Sequence, residues 1–402
     1  MYDFDKIVNR RGSGSYKWDS ATDAEVIPLW VADMDFETAP VVKEALMRRV
    51  EHGVFGYTLV GDSYYDALTS WFSRRHNYPI DRSLVIYTSG VVPAISAIIK
   101  ALTSPGDGVI VQTPVYNCFF SSIRNNGCRI VENPLTRVEV DSTTFTYRMD
   151  FDGLERAASG EDVKVMLLCN PHNPAGRCWT RSELTKVAEI CRRHNVTVVS
   201  DEIHCELTMP GYEYQPYGVI DREVAGEGAR PSAIVCVSPS KAFNTAGLQI
   251  ANIICPDPEV RAAIDRAINI NEVCDVNPFG VEALKASYSP RGEEWLDLLR
   301  QYLHTNAKLL KETFARELPQ CPVTVLEATY LPWVDVRATG IPAEDIEEMM
   351  MKEAKVWVNC GEMYGREGYI RINIACPKST LAEGLRRVIG WLKAHIPTTA
   401  TD

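Results

Sequence analysis

Lys241 ends a short polar turn, Ser238-Pro239-Ser240-Lys241, that follows the apolar run Ile234–Val237. Burial at such a strand end would lower the pKa of its ammonium, and the free amine is suited to form a Schiff base with a carbonyl. Asp201 comes at the end of another β-rich run, Val196–Ser200, and could hold a protonated ring nitrogen. Asn173, within Asn170-Pro171-His172-Asn173-Pro174-Ala175-Gly176, could donate to a ring oxygen. Tyr116 follows Thr113-Pro114-Val115 and could stack flat on an aromatic ring. The turn Ser89-Gly90-Val91-Val92-Pro93 opens a helical stretch, and would offer backbone N–H groups and a positive dipole end to a phosphate.

Each signal alone has a bland explanation. A lone lysine is ordinarily a solvated surface group, an Asp after a strand ordinarily caps a helix, and N-P-x-N-P is ordinarily a turn. Five polar clusters at strand ends of one sheet carry more weight, because open α/β sheets bind their ligands there. The roles are mutually consistent with pyridoxal phosphate. No G-x-G-x-x-G follows a strand and no Walker lysine motif is present, so a dinucleotide or nucleotide is not expected.

The elements that must position these groups follow from hydrophobic period. Strands are expected at Leu84–Thr88, Val109–Gln112, Arg129–Val131, Val163–Cys169, Val196–Ser200, Ile234–Val237 and Ala251–Cys255. The runs VKVMLLC and AIVCV are nearly continuous in apolar residues, as strands covered on both faces are. Helical period appears between them at Pro93–Thr103, Phe151–Ala158 and Arg181–His194. This alternation implies an α/β fold with a mostly parallel seven-stranded sheet and helices on both faces. From Glu293 onward the pattern changes to amphipathic helices (293–319 and 343–355), two strands (Val356–Asn359 and Tyr369–Ile374) and a closing helix, Leu381–His395. The expected division is a large domain over residues 50–288 and a smaller α+β domain assembled from 1–49 plus 289–402.

Composition narrows the function classes. The 402 residues carry 42 Lys+Arg against 53 Asp+Glu, a net charge of −11, which offers no basic footprint for nucleic acid. No apolar run approaches the ~20 residues of a membrane span. The start, Met1-Tyr2-Asp3-Phe4-Asp5, lacks the basic and apolar regions of a signal peptide, so a cytoplasmic protein is expected. Twelve cysteines are scattered from Cys118 to Cys376 with no C-x-x-C spacing, and no H-x-x-x-H pair occurs, so no metal site is expected.

The ordered motifs N-P-x-N-P-x-G, D-E-I-H and S-P-S-K resemble those of fold-type I pyridoxal-phosphate enzymes of the aminotransferase superfamily. The likeness is closer to one branch, the MalY/PatB-type cystathionine β-lyases (C–S lyases). It is carried by Asn9-Arg10-Arg11-Gly12-Ser13, Lys17-Trp18-Asp19, Trp30–Phe36, Phe55-Gly56-Tyr57-Thr58 and Ser240–Gln249, and it runs from about residue 9 to beyond 376. The resemblance implies that Lys241 carries the cofactor and moves the substrate Cα proton. It implies further that Asp201 pairs with the ring nitrogen, Asn173 bonds the ring oxygen, Tyr116 stacks on the ring, and Val91, Val92 and Ser238 bind phosphate, with His204 also at the cofactor. Arg371, Asn173 and Asp33 would contact a small amino-acid substrate. Tyr57, also implied to be catalytic, would reach the phosphate of a neighbouring subunit, implying a homodimer with shared active sites. His204 stands where general aminotransferases often have Tyr, and Gln249 where they have Arg. The implied reaction is α,β-elimination of L-cystathionine or related cysteine S-conjugates to pyruvate, ammonia and homocysteine or thiol; the alternative is transamination of an L-amino acid.

Overall fold

A computed structural model describes residues 2–270, 272 and 275–397. Its large sheet contains seven strands: β1 (Val85–Thr88), β2 (Gly108–Val111), β3 (Arg129–Glu132), β4 (Val163–Cys169), β5 (Thr197–Asp201), β6 (Ile234–Val237) and β7 (Ala251–Ile254). They lie in the order β1-β7-β6-β5-β4-β2-β3. Only β7 runs antiparallel to its neighbours; the other pairings are parallel. All seven expected strands are therefore present, β4 and β6 to the residue. Asp201 is the last residue of β5 rather than the first beyond it, in register with Cys169 and Cys236.

Helices cover both faces because each brings an apolar stripe. Ile95, Ile98 and Ile99 of helix Val91–Leu102 pack on Val109, Val111 and Val165. On the opposite face Leu184, Val187 and Ala188 of helix Arg181–Arg193 meet Ile110, Met166 and Leu168. A capping box between Thr180 and Glu183 fixes where that helix begins.

A second, six-stranded sheet runs in the order Asn359–Cys360, Tyr369–Arg371, Trp333–Asp335, Val323–Thr324, Thr144–Arg148 and Thr136–Glu139. The last two form a hairpin that leaves the large-sheet region and crosses to this sheet, where Val323 and Thr324 pair with Thr144 and Phe145. The expected strand Val356–Asn359 divides at Val358: Val356–Trp357 pairs with Ile27–Pro28 near the start of the chain, while Asn359 lies opposite Arg371. The helix expected over 343–355 is α-helical to Met349 and continues as a π-helix over Met350–Ala354.

Candidate active site

The carboxyl ends of the large-sheet strands surround one pocket. β1 leads through Ser89 and Gly90 into helix Val91–Leu102, and Val91 and Val92 line the wall with the helix N-terminus open to it. The N–H groups of a first helical turn have no acceptor within their own helix, so this wall favours an anion. Tyr116 precedes helix Asn117–Asn125; Asn173 lies four residues beyond Cys169 at the end of β4; Asp201 ends β5, and Ile203 and His204 come from the turn that follows it; Ser240 and Lys241 come from the turn after β6. Gln249 also lines the pocket, with φ of 53° in the left-handed region.

The electrostatics distinguish these groups. Burial, then the positive charge of Arg371, pushes the Lys241 ammonium down to about 8, against the opposing pull of Asp33 and Asp201. Its Nζ donates to the Ala32 carbonyl at 2.6 Å. Burial lifts the Asp201 carboxyl to about 6, moderated by the Ile203 N–H at 3.1 Å and by Lys241. Among the described residues Asp201 has no salt-bridge partner, so a protonated ring nitrogen would supply the cation that it lacks. Burial, with Lys241 and Arg371 nearby, holds His204 down at about 3, hence a neutral imidazole, and its Nδ1 is buried without a hydrogen bond. Burial likewise raises the Tyr116 phenol, which stays protonated.

Arg371 ends the strand Tyr369–Arg371 and is 3% exposed. Its Nη1 donates to Asn173 Oδ1 at 3.2 Å and its Nη2 to the Trp30 carbonyl at 2.9 Å, with the guanidinium 4.7 Å from the centre of the Tyr364 ring. Both acceptors are neutral, and Nε is buried without a partner. Among the described residues no carboxylate pairs with this guanidinium. A buried cation of this kind calls for an anion. Since Asn173 Oδ1 accepts from Arg371, its amide NH₂ remains free to donate.

Four expected site residues do not line the pocket: Arg371, joined to it through Asn173, and Ser238, Asp33 and Tyr57. Ser238 Oγ donates to the Ile250 carbonyl at 2.6 Å and accepts the Ser240 N–H at 3.1 Å, shaping the turn that presents Lys241. The Asp33 carboxylate accepts from Arg10 at 2.6 and 3.1 Å. Tyr57 is 96% exposed, on the irregular segment 53–61, away from the pocket of its own chain. The sequence reading uses Trp30–Phe36 as a motif of the family resemblance and gives a contact role to Asp33 alone, yet the backbone carbonyls of Ala32 and Trp30 receive Lys241 and Arg371. The only hint of that in the sequence is the WVADMDF string itself.

His76, Cys205 and Glu206 also come together, with their potential ligand atoms within 4.8 Å of one another. Here the Glu206 oxygens already accept from Trp71 Nε1, Arg75 Nε and His76 Nε2 at 2.6, 3.2 and 2.7 Å, and the Arg75 guanidinium occupies the cation's part. The cluster ties helix Asp62–His76 to the loop after β5.

Comparison with known proteins agrees with this geometry. The model of the family described as aminotransferase class I and II matches residues 24–388. Cystathionine beta-lyase PatB of Bacillus subtilis (strain 168) is 39% identical over 391 residues, which cover 96% of this chain and 98% of that protein. Protein MalY of Escherichia coli (strain K12) is 32% identical, covering 98% of this chain and all of that protein. Among solved structures, cystalysin of Treponema denticola, which contains pyridoxal 5'-phosphate, superposes with a TM-score of 0.91 at 34% identity, covering 98% of this chain and 99% of that one. The large sheet, the pocket at its carboxyl edge and these matches over nearly the whole length lead to one assignment: the chain belongs to the aminotransferase class I and II family.

Proposed function

We propose that this protein is a pyridoxal-phosphate-dependent carbon–sulfur β-lyase that eliminates the thiol from L-cystathionine or a related cysteine S-conjugate, giving pyruvate, ammonia and homocysteine or another thiol. The observation that carries the reading is one pocket in which an amine of lowered pKa faces a buried carboxyl, with a buried guanidinium beside it, and neither charge is neutralised by the protein. The name of the full-length relative PatB, a cystathionine beta-lyase, supports the same reaction, and cystalysin contains the same cofactor.

Pyridoxal phosphate, when bound, supplies the electron sink for the carbanion at the substrate Cα. Val91 and Val92 N–H groups would hold the phosphate, Tyr116 would stack on the ring, and the Asn173 amide would donate to the ring oxygen. Asp201 would keep the ring nitrogen protonated, and neutral His204 lines the same pocket. The Arg371 fork holds the substrate α-carboxylate. Lys241 would hold the cofactor and, as a neutral amine, would take the Cα proton; at about 8, a useful fraction of the amine is neutral near physiological pH. Ser238 sets the lysine's turn, and Asp33 opposes the loss of the Lys241 proton.

Val54, Phe55, Tyr57 and Leu59 are all more than half exposed on one segment. An apolar run of that kind is best covered by a second copy, so we read the assembly as a homodimer in which Tyr57 completes the partner's site. We keep the division into 50–288 and 1–49 plus 289–402 as our reading, and assign the hairpin at 136–148, which pairs with Val323–Thr324, to the second sheet. No described helix is long and apolar enough to cross a membrane, and we place the enzyme in the cytoplasm. The test is thiol release from a panel of cysteine S-conjugates by the holoenzyme, ranked by kcat/KM; no thiol from any conjugate would count against the reading. Transamination, the second reading, is favoured by the family assignment and requires an added 2-oxo acid.

A further inference from the structure

A lysine with no exposed surface, Lys17, lies outside the pocket and takes no part in the chemistry above. Its Nζ donates to Asp35 Oδ2 at 2.9 Å and to the Asp33 carbonyl at 3.3 Å. Asp35 Oδ1 accepts from Trp18 Nε1 at 2.8 Å and from Arg10 Nη1 at 2.7 Å. Arg10 also reaches the Met34 carbonyl at 3.0 Å and grips the Asp33 carboxylate. One buried carboxylate thus accepts from three side chains of the 10–18 segment, two of them cationic. Removing charges from water on this scale is costly, and the cost is offset only where the geometry is well satisfied. Here it is satisfied, and the product is a fixed backbone over residues 30–35.

That backbone is where Lys241 of the pocket and the neighbouring Arg371 dock. The Trp30 carbonyl accepts from Arg371, and the Ala32 carbonyl accepts from Lys241 at 2.6 Å and from Tyr330 Oη at 2.9 Å. Asn373 Nδ2 donates to the Val31 and Asp33 carbonyls. Asn244, three residues beyond Lys241, accepts the Met34 N–H and donates to the Met34 and Phe36 carbonyls. The same segment is therefore held from outside by Asp35 and read from inside by the reactive lysine.

We propose that Asp35 is a positioning residue: with Arg10, Lys17 and Trp18 it fixes the 30–35 backbone so that the Ala32 carbonyl holds the Lys241 amine in place for proton transfer. A neutral amine that donates one N–H to Ala32 keeps its lone pair for the Cα proton. Arg371, Asp33 and Asp201 are the charged side chains that act most strongly on that amine, whereas the Asp35 carboxylate is taken up by Arg10, Lys17 and Trp18, so its effect is chiefly one of placement. The inference rests on the function proposed above, and its experiment separates the two.

The full chain and its Asp35→Asn variant are compared first by amide hydrogen exchange without cofactor, then by kinetics of the holoenzyme with Cα-protonated and Cα-deuterated substrate. Exchange at Met34 and residue 35, whose N–H groups donate to Asn244 and to the Ala375 carbonyl, should quicken by about tenfold while β4 is unchanged. In the holoenzyme kcat should fall by about tenfold to a hundredfold with a larger deuterium isotope effect and KM within about twofold. The acid limb of the pH profile should stay where it is. Trp18→Phe, which removes one neutral donor and leaves the charges, should move every readout the same way by less, and it carries the test if Asp35→Asn does not fold. Unchanged exchange at 34–35, or faster exchange with unchanged kcat and isotope effect, overturns the proposal. A wild-type chain without lyase activity overturns the proposed function instead, while the exchange comparison still reports on the lock.

Discussion

Replacing Arg371 with Lys keeps the positive charge and removes the planar fork, which makes it an incisive perturbation of the pocket. In the free enzyme Arg371 spends one N–H on Asn173 and one on the Trp30 carbonyl, and Nε points at nothing. A substrate carboxylate binding in bidentate fashion would gain two charge-assisted bonds, of which an ammonium can replace one. The lost bond is worth about 1.5–3 kcal/mol, or roughly a 10- to 150-fold fall in kcat/KM. The assay compares a cysteine S-conjugate with its decarboxylated counterpart, an S-substituted cysteamine, in both enzymes. Only the carboxylate-bearing substrate should suffer the full loss; the cysteamine should change by less than about threefold. The acid limb of the pH profile should not move, because a cation still faces Lys241. Equal losses for both substrates would refute the assignment and reduce Arg371 to a structural tie.

Further outcomes follow from the same geometry. Lys241→Ala should lower turnover by at least about 10²–10⁴-fold, and mixing it with an inactive Tyr57→Ala chain should restore about one quarter of wild-type activity, since half the dimers are mixed and each has one intact site; no recovery after subunit exchange would contradict a shared site. Asp33 favours the charged form of Lys241, so Asp33→Asn should lower the pKa of the freed lysine amine further below about 8 and shift the acid limb of kcat to lower pH; an upward shift would contradict the assigned electrostatics. Burial alone would raise the Glu206 carboxyl, but His76 and Arg75 outweigh it and hold the group at about 2, against an ordinary value of 4.5. Its stabilisation is therefore present above pH 4.5 and lost as pH falls toward 2, and Glu206→Gln should cost about 3–5 kcal/mol at neutral pH, read from denaturant melts across that range.

The seven large-sheet strands were legible because burial on both faces leaves continuous apolar runs such as VKVMLLC, and because turn residues end them. The hairpin 136–148 was not: Thr-Phe-Thr-Tyr-Arg alternates over only five residues, and the partner strand Val323–Thr324 has two. Helix Asp62–His76 was also missed, its buried Tyr64, Leu68, Trp71 and Phe72 interleaved with Ser, Asp and Tyr. Within the site, strand-end residues such as Asp201 and Lys241 could be read from position, whereas Arg371, on a three-residue strand of the second sheet, was reached only through family resemblance. The 30–35 segment was legible only as part of the family resemblance; its positioning role was not, because it acts through backbone carbonyls, which no residue type reveals, and because its anchors Arg10 and Lys17 look in sequence like solvated surface charges.

The most direct measurement is to give the purified holoenzyme L-cystathionine with no 2-oxo acid present and to quantify pyruvate, ammonia and free thiol. A β-lyase yields the three in equal amounts over many turnovers. No pyruvate under these conditions, with amino transfer appearing once a 2-oxo acid is added, would contradict the proposed reaction and leave an aminotransferase in its place.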